Sequence, residues 1–307
     1  MRKKSSGLLA ATRLTSVFFI ALLACSFLFA VIVHASDPDA LKNSAPQNPA
    51  SGAEKAKIQG DVFFGLPNDT WDRFIICDYS MTPRPRFGSV PMRLAFVDSS
   101  GKTCHLKWLK DQAGSPESAA RELSCAFEKI GGYLFQTTEK CMSDQSGDRR
   151  TTVLLVSEEY LEQHRPMKVT KYKPKPLPKE AAARIEKTRK MKIRKAWDLA
   201  TLEDGSTYAV ILFEAVNNKT IYSVVLISKK DLLFNDEENY EMLELEWLFE
   251  KGYLEDVFDI LAAFKSAGGV DIARITPGYE GFDSVFVRQK GSVFESVVFS
   301  AFYAGGF

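Results

Sequence analysis

Histidine is scarce in this chain: His34, His105 and His164 are the whole supply in 307 residues. His34 lies in an N-terminal leader, so a nucleophile that needs an imidazole base has at most two candidates in the body. The motifs that announce common chemistries are missing too. There is no G-x-S-x-G, no P-loop, no G-x-G-x-x-G and no H-E-x-x-H. Cysteine stops at Cys141, and no pair has the C-x-x-C spacing that a zinc ribbon or redox site would use. Only His105, beside Cys104, speaks for a metal. These absences lean the reading away from an enzyme and imply no cofactor.

Long polar runs are lacking near the start, where an almost unbroken apolar stretch fills 17 to 33. Arg2, Lys3, Lys4 and Arg13 precede it, and Val33-His34-Ala35 offers a small-residue cleavage step. Seventeen residues sit between a signal h-region and a membrane-spanning helix. Residues 1–35 are therefore read as a signal peptide or signal anchor, with an exported body in either case. The charge bias places that body away from the cytoplasm. Leu22-Leu23-Ala24-Cys25 resembles a lipobox, but the apolar run continues past Cys25, which reads better as filler. Residues 36–59 carry Pro38, Pro46 and Pro49 among small and polar residues, the composition of a disordered tether.

The body reads as α+β: antiparallel sheets with helices on one face, in two small domains joined by a basic Pro-rich linker. The first, 60–161, holds Cys77, Cys104, Cys125 and Cys141, an even number that in an exported chain implies two disulfides. Pairing in sequence order, Cys77 with Cys104 and Cys125 with Cys141, closes the shortest loops. Strands are predicted at Arg73 to Cys77, Tyr133 to Thr137 and Thr151 to Val156, with a hairpin of Met92 to Val97 and Thr103 to Trp108 about Asp98-Ser99-Ser100-Gly101. Ser115-Pro116-Glu117 opens a predicted helix to Lys129. In the second, 196–307, hairpins are predicted at Tyr208 to Ser228 and Val285 to Phe302. Helices are predicted between them at Glu238 to Lys251 and Leu254 to Lys265, the latter from Leu254, Val257, Phe258, Leu261 and Phe264 on one helical face. The two hairpins are loosely alike, which raises the idea of a degenerate duplication.

The net charge of +1 conceals a segment of one sign. Between Arg165 and Lys195 stand thirteen basic residues against Glu180 and Glu186. The linker, 162–195, divides into a Pro-rich part with Pro166, Pro174, Pro176 and Pro178, expected to be extended, and a predicted helix from Glu180 to Leu199. The candidate binding residues are Lys168, Lys171, Lys173, Lys175, Lys187, Arg189, Lys190, Lys192, Arg194 and Lys195. Nine acids against Lys251 between Asp236 and Asp256 offer an internal counterpart, a basic helix lying on an acidic one.

The leading expectation is an exported, periplasmic or extracellular, non-enzymatic protein of the cell envelope. Its basic segment would meet an envelope protein or an anionic lipid surface, where each Lys or Arg contributes about 1 kcal/mol. Nucleic acid is disfavoured, because Tyr172 is the lone aromatic of the arm. One alternative is a carboxylate-based hydrolase of envelope material, for instance through Asp283 and Glu295 across the last hairpin. The other is an assembly factor whose acidic and basic segments pair between copies. Asn68-Asp69-Thr70 and Asn218-Lys219-Thr220 match the glycosylation acceptor pattern.

Overall fold

Four short runs, VFFGLP, RFIIC, RLAFV and VLLVS, are apolar at almost every position, so no alternation marks an inner and an outer face. A computed structural model, which describes residues 61–77, 93–115, 124–141, 152–215, 220–239, 258–278 and 281–302, explains why. These runs are strands buried on both faces. Six strands, β1 (Val62–Pro67), β2 (Arg73–Cys77), β3 (Arg93–Val97), β4 (Thr103–Gln112), β5 (Gly132–Gln136) and β6 (Val153–Ser157), close into a barrel in the order β1-β2-β5-β4-β3-β6. Every pairing in it is antiparallel. The exposed face of β4 identifies the inside. His105 and Lys107 face solvent, while Cys104 and Leu106 are buried and cluster with Phe63, Phe74, Phe96, Phe135 and Leu155 as the filled lumen.

Two glycines serve this small barrel. Gly101 turns the β3–β4 hairpin with a φ of 80°, and Asp98 Oδ1 accepts the amides of Ser100 and Lys102 beside it. At Gly132 a Cβ would stand 2.1 Å from the Ile76 carbonyl oxygen, so only glycine lets β5 approach β2 there.

The chain then enters α1 (Glu158–Gln163), capped by Ser157, whose Oγ accepts the Tyr160 amide at 3.0 Å. Next come β7 (Arg165–Met167), β8 (Val169–Pro176), α2 (Lys179–Arg189), β9 (Ile193–Leu202), β10 (Thr207–Phe213), β11 (Thr220–Ile227), β12 (Leu232–Asn239), β13 (Ile260–Ser266), β14 (Gly269–Gly278), β15 (Gly281–Lys290) and β16 (Val293–Phe302). The ten strands form one sheet, β7-β13-β14-β15-β16-β12-β11-β10-β9-β8. It is two antiparallel meanders, joined where β12 and β16 run parallel through the single register pair Phe234 and Val293. Its end strands β7 and β8 are consecutive in sequence, and one apolar cluster draws residues from all ten strands. The sheet therefore curls around its own core.

The outer face of the sheet is covered twice. Leu261, Ala262, Phe264, Ala273 and Phe286 pack against the outer face of the small barrel, with Phe64, Ile75, Ala95, Leu134 and Val156 opposite. Phe264 and Phe286 are fully buried there, and burial contributes about 2–3 kcal/mol for each. Across the other meander lies α2, which buries Ile185 against Ala209, Ile211, Phe213 and Val225.

The expected α+β arrangement is thus overturned: the fold is mostly β, with α1 and α2 the only α-helices among the described residues. Of the predicted helix at Leu254 to Lys265, the described part from Ile260 onward is strand. The helical spacing arose because β13 is buried on both sides, Ile260 and Ala263 inward and Leu261, Ala262 and Phe264 toward the barrel, with an irregularity between Ile260 and Ala262. The helix expected to Leu199 ends at Arg189, where Lys190 turns left-handed with a φ of 55°. Of Ser115 to Lys129, residues 124–129 form a 3-10 turn and 116–123 lie outside the described residues. Of Glu238 to Lys251, the first two residues end β12 and the rest lie outside them.

The Pro-rich stretch is not a free linker either. It supplies both end strands, and an end strand tolerates proline because one of its edges needs no donor. Among the described residues the predicted strands form, while Met92, Thr151 and residues 216–219 of the first long hairpin lie outside them. The two similar hairpins, however, are β10–β11 and β15–β16, which stand at different distances from the parallel seam and so are not equivalent in the sheet. The leader and tether, 1–59, lie outside the described residues. Among those residues, no helix is long and apolar enough to cross a membrane.

Candidate functional site

A group of polar side chains gathers around the buried Asp271, where α1 meets the sheet. Tyr160 on α1 donates its hydroxyl to Asp271 Oδ2 at 2.7 Å. Arg288 on β15 reaches the same carboxylate from the neighbouring strand, Nε to Oδ1 at 3.1 Å and Nη2 to Oδ2 at 2.9 Å. Asp271 on β14 is 1% exposed, so its charge depends on these partners. His164, just past α1, lies flat on the Tyr160 ring with centroids 3.9 Å apart.

The bonds of His164 fix its tautomer. Its Nδ1 lies 2.9 Å from the Tyr160 carbonyl oxygen, which can only accept, so Nδ1 carries the proton. Its Nε2 lies 3.0 Å from Arg288 Nη2, which can only donate, so Nε2 is an acceptor. The ring as placed is neutral.

Burial, then the Asp271 charge, push the Tyr160 phenol well above its ordinary range. For Arg288, burial works against its charge, but the bonds to Asp271 outweigh it and raise the pKa. Tyr160, His164 and Arg288, together with Asp61, Glu159 and Gln163, line an open cleft of about 600 Å³. Every polar atom of the imidazole is engaged, so the cluster holds two layers together rather than presenting a base.

Reading from sequence passed over this cluster. His164 stands at the head of the basic segment, yet its side chain is 13% exposed. Asp271 and Arg288 are paired residues on adjacent strands, a relation that only the β14–β15 register reveals.

The basic segment is spread over four elements. Lys168 sits between β7 and β8; Lys171, Lys173 and Lys175 lie on β8; Lys187 and Arg189 are on α2, with Lys190 as its cap; Lys192 precedes β9, and Arg194 and Lys195 open it. Several of its cations are matched at once. Arg165 pairs with Glu203, Lys171 with Asp259 at 2.5 Å, Lys175 with Asp198 at 3.3 Å and Lys192 with Glu186 at 3.5 Å. Arg189 meets Asp236 and lies 4.9 Å over the Phe234 ring, one instance of basic helix on acidic strand within a single molecule.

A wide bulge in β8 between Lys171 and Lys175 is held by Tyr172, whose hydroxyl donates to Asp198 and lies 3.1 Å from Thr201 Oγ1. Lys175 stacks 4.0 Å over the Tyr172 ring. Desolvation and then Asp198 raise the Tyr172 pKa; desolvation opposes the Lys175 charge, and Asp198 more than offsets it. Lys168, Lys173, Lys179, Lys187 and Lys190 stand exposed.

Other candidates resolve differently. Cys104 joins Cys141 in a disulfide, which corrects the sequential pairing with Cys77. Strand alternation also separates the Cys104–His105 couple, the cysteine inward and the histidine outward, 3.3 Å from Glu158. Among the described residues no group of three or more metal-type ligands gathers. Asp283 pairs with Ala301 and Glu295 with Arg288, so the two carboxylates stand five positions apart along β15. That is about 17 Å at strand rise, too far for either glycosidase geometry.

Asn68 is no glycan acceptor in this fold. It is 6% exposed, its Oδ1 accepts the amides of Asp72 and Arg73, and its Nδ2 donates to Thr70 and Asp72. Asn218 lies outside the described residues. Comparison with protein-family models, curated proteins and solved structures finds no match to this chain.

Proposed function

We propose that this chain is a non-enzymatic, exported binding protein that meets an anionic surface through the basic face formed by β8 and α2. One observation carries the reading. After Glu203, Asp259, Asp198, Asp236 and Glu186 have taken their partners, Lys168, Lys173, Lys179, Lys187 and Lys190 remain exposed. They stand on a fixed scaffold. α2 is held down by Ile185, and Arg184 donates to the Ser228 carbonyl at 2.7 Å, so the helix cannot roll its lysines inward.

A preformed cationic face loses little conformational freedom on binding, unlike a loose arm. Five lysines at about 1 kcal/mol each suffice for weak, salt-sensitive attachment to an anionic membrane. An apolar leader of the kind at 17 to 33 would add to that hold if retained. No observation favours the hydrolase alternative, since its proposed carboxylates do not meet.

The test is sedimentation with vesicles, anionic against zwitterionic, at low salt and in 0.5 M salt. Binding to anionic vesicles alone, lost in high salt and in the variant Lys173→Glu, Lys179→Glu, Lys187→Glu, Lys190→Glu with an unchanged thermal melt, is the expected result. Binding that ignores salt or survives the fourfold variant removes the proposal.

A further inference from the structure

We propose that Tyr160, His164, Asp271 and Arg288 form an acid-sensitive latch between the barrel and the ten-stranded sheet. The proposal is independent of the basic face. Position comes first: α1 follows the last barrel strand directly, and His164 immediately precedes β7, which pairs with β13. The cluster thus sits at the covalent joint between the two layers, with Tyr160 and His164 from the connecting α1 segment and Asp271 and Arg288 from the sheet.

Chemistry supplies the sensitivity. The neutral ring uses Nδ1 as donor to the Tyr160 carbonyl and Nε2 as acceptor from Arg288. Adding a proton turns Nε2 into a donor aimed at a guanidinium 3.0 Å away, which removes one hydrogen bond and sets two cations together. The carboxylate in reach is Asp271, whose Oδ2 lies 3.6 Å from Nε2. It already receives Tyr160 and two nitrogens of Arg288.

A charged His164 can gain Asp271 only if Arg288 or Tyr160 gives way. Asp61 and Glu159 line the same cleft, beside β1 and on α1, and offer a displaced guanidinium an alternative partner. Asp61 Oδ1 already accepts the Ser157 hydroxyl at 2.7 Å, so that exchange disturbs the α1 cap as well. Protonation of His164 therefore loosens the latch, and imidazole is the side chain most open to gaining a proton in mild acid.

Native-state hydrogen exchange of the full chain at pH 7.5 and pH 5.0, corrected for intrinsic rates, tests this. In the wild type, protection over α1, β14 and β15 should fall about tenfold in acid, while β3 and β4 hold theirs. His164→Gln should remove that pH dependence, and His105→Gln, a control at the exposed histidine, should keep it. Should His164→Gln not fold, the ¹⁵N spectrum of the wild-type imidazoles decides. The Nδ1-protonated neutral form at pH 7.5, titrating together with the exchange change, sustains the latch. Protection unchanged by acid, an acid response that persists in His164→Gln, or an Nε2-protonated ring overturns it.

Discussion

Removing one hydroxyl from the junction tests the energetics of the whole cluster. Tyr160→Phe keeps the ring on His164 and at 5.3 Å, edge to face, from Phe264, so packing is conserved and only the bond to Asp271 is lost. A hydrogen bond to a buried charge is worth about 1.5–3 kcal/mol, and Asp271 retains Arg288, so a loss of about 2 kcal/mol is expected. Asp271→Asn is harsher. It leaves the guanidinium facing a neutral amide in a site that is largely buried, at a cost of about 3–4 kcal/mol.

The two losses share one contact, so the double variant should fall short of their sum by about 1–2 kcal/mol. Urea unfolding at pH 7.5 reads all four proteins, with an unchanged slope confirming that the same surface is exposed. In thermal melts each kcal/mol corresponds to about 2–4 °C for a body of this size. Additivity within about 0.5 kcal/mol would refute a shared carboxylate, because it would mean that Tyr160 and Asp271 act apart.

Other outcomes follow from features elsewhere. The Cys104–Cys141 bond closes a 37-residue separation, so Cys104→Ala with Cys141→Ala should cost about 4 kcal/mol in the chain-entropy account, measured by urea unfolding without reductant. Asn68→Ala leaves two backbone amides and a buried turn unsatisfied and should cost about 2 kcal/mol, with no change in mass from a lost glycan at that site. Because burial and Asp271 raise the folded Tyr160 pKa above its unfolded value of 10.0, its contribution is present below that pH and lost above it. Stability should therefore fall as pH rises beyond about 10, and less steeply in Tyr160→Phe.

Strand-rich segments were legible wherever β-branched and aromatic residues met a turn signal, as at Asp98 to Gly101. Among the helices only the start of α2 was legible, and the reason is specific. On β13 both faces are buried, so apolar residues fall at helical spacings by occupying every side of the chain. On β9 a register shift between Lys195 and Ile193 sends Ile193 and Ala196 toward α2 but Trp197 and Leu199 into the sheet core. A weak alternation in the sequence is scrambled by that bulge. The basic segment was visible as charge, yet its rigidity came from edge prolines that read as linker. The junction cluster had no local signature at all, since Tyr160, Asp271 and Arg288 come together only through long-range pairing.

The parallel seam carries a consequence for how the chain acquires its fold. Within each meander, neighbours in space are neighbours in sequence, so β8 to β12 and β13 to β16 can assemble by short loop closures. The pairs that unite them are remote: Phe234 with Val293, and Pro166 with Phe264 across nearly a hundred residues. Joining of the two meanders is therefore the late event, and substitutions at the seam should speed unfolding while leaving the refolding rate almost untouched.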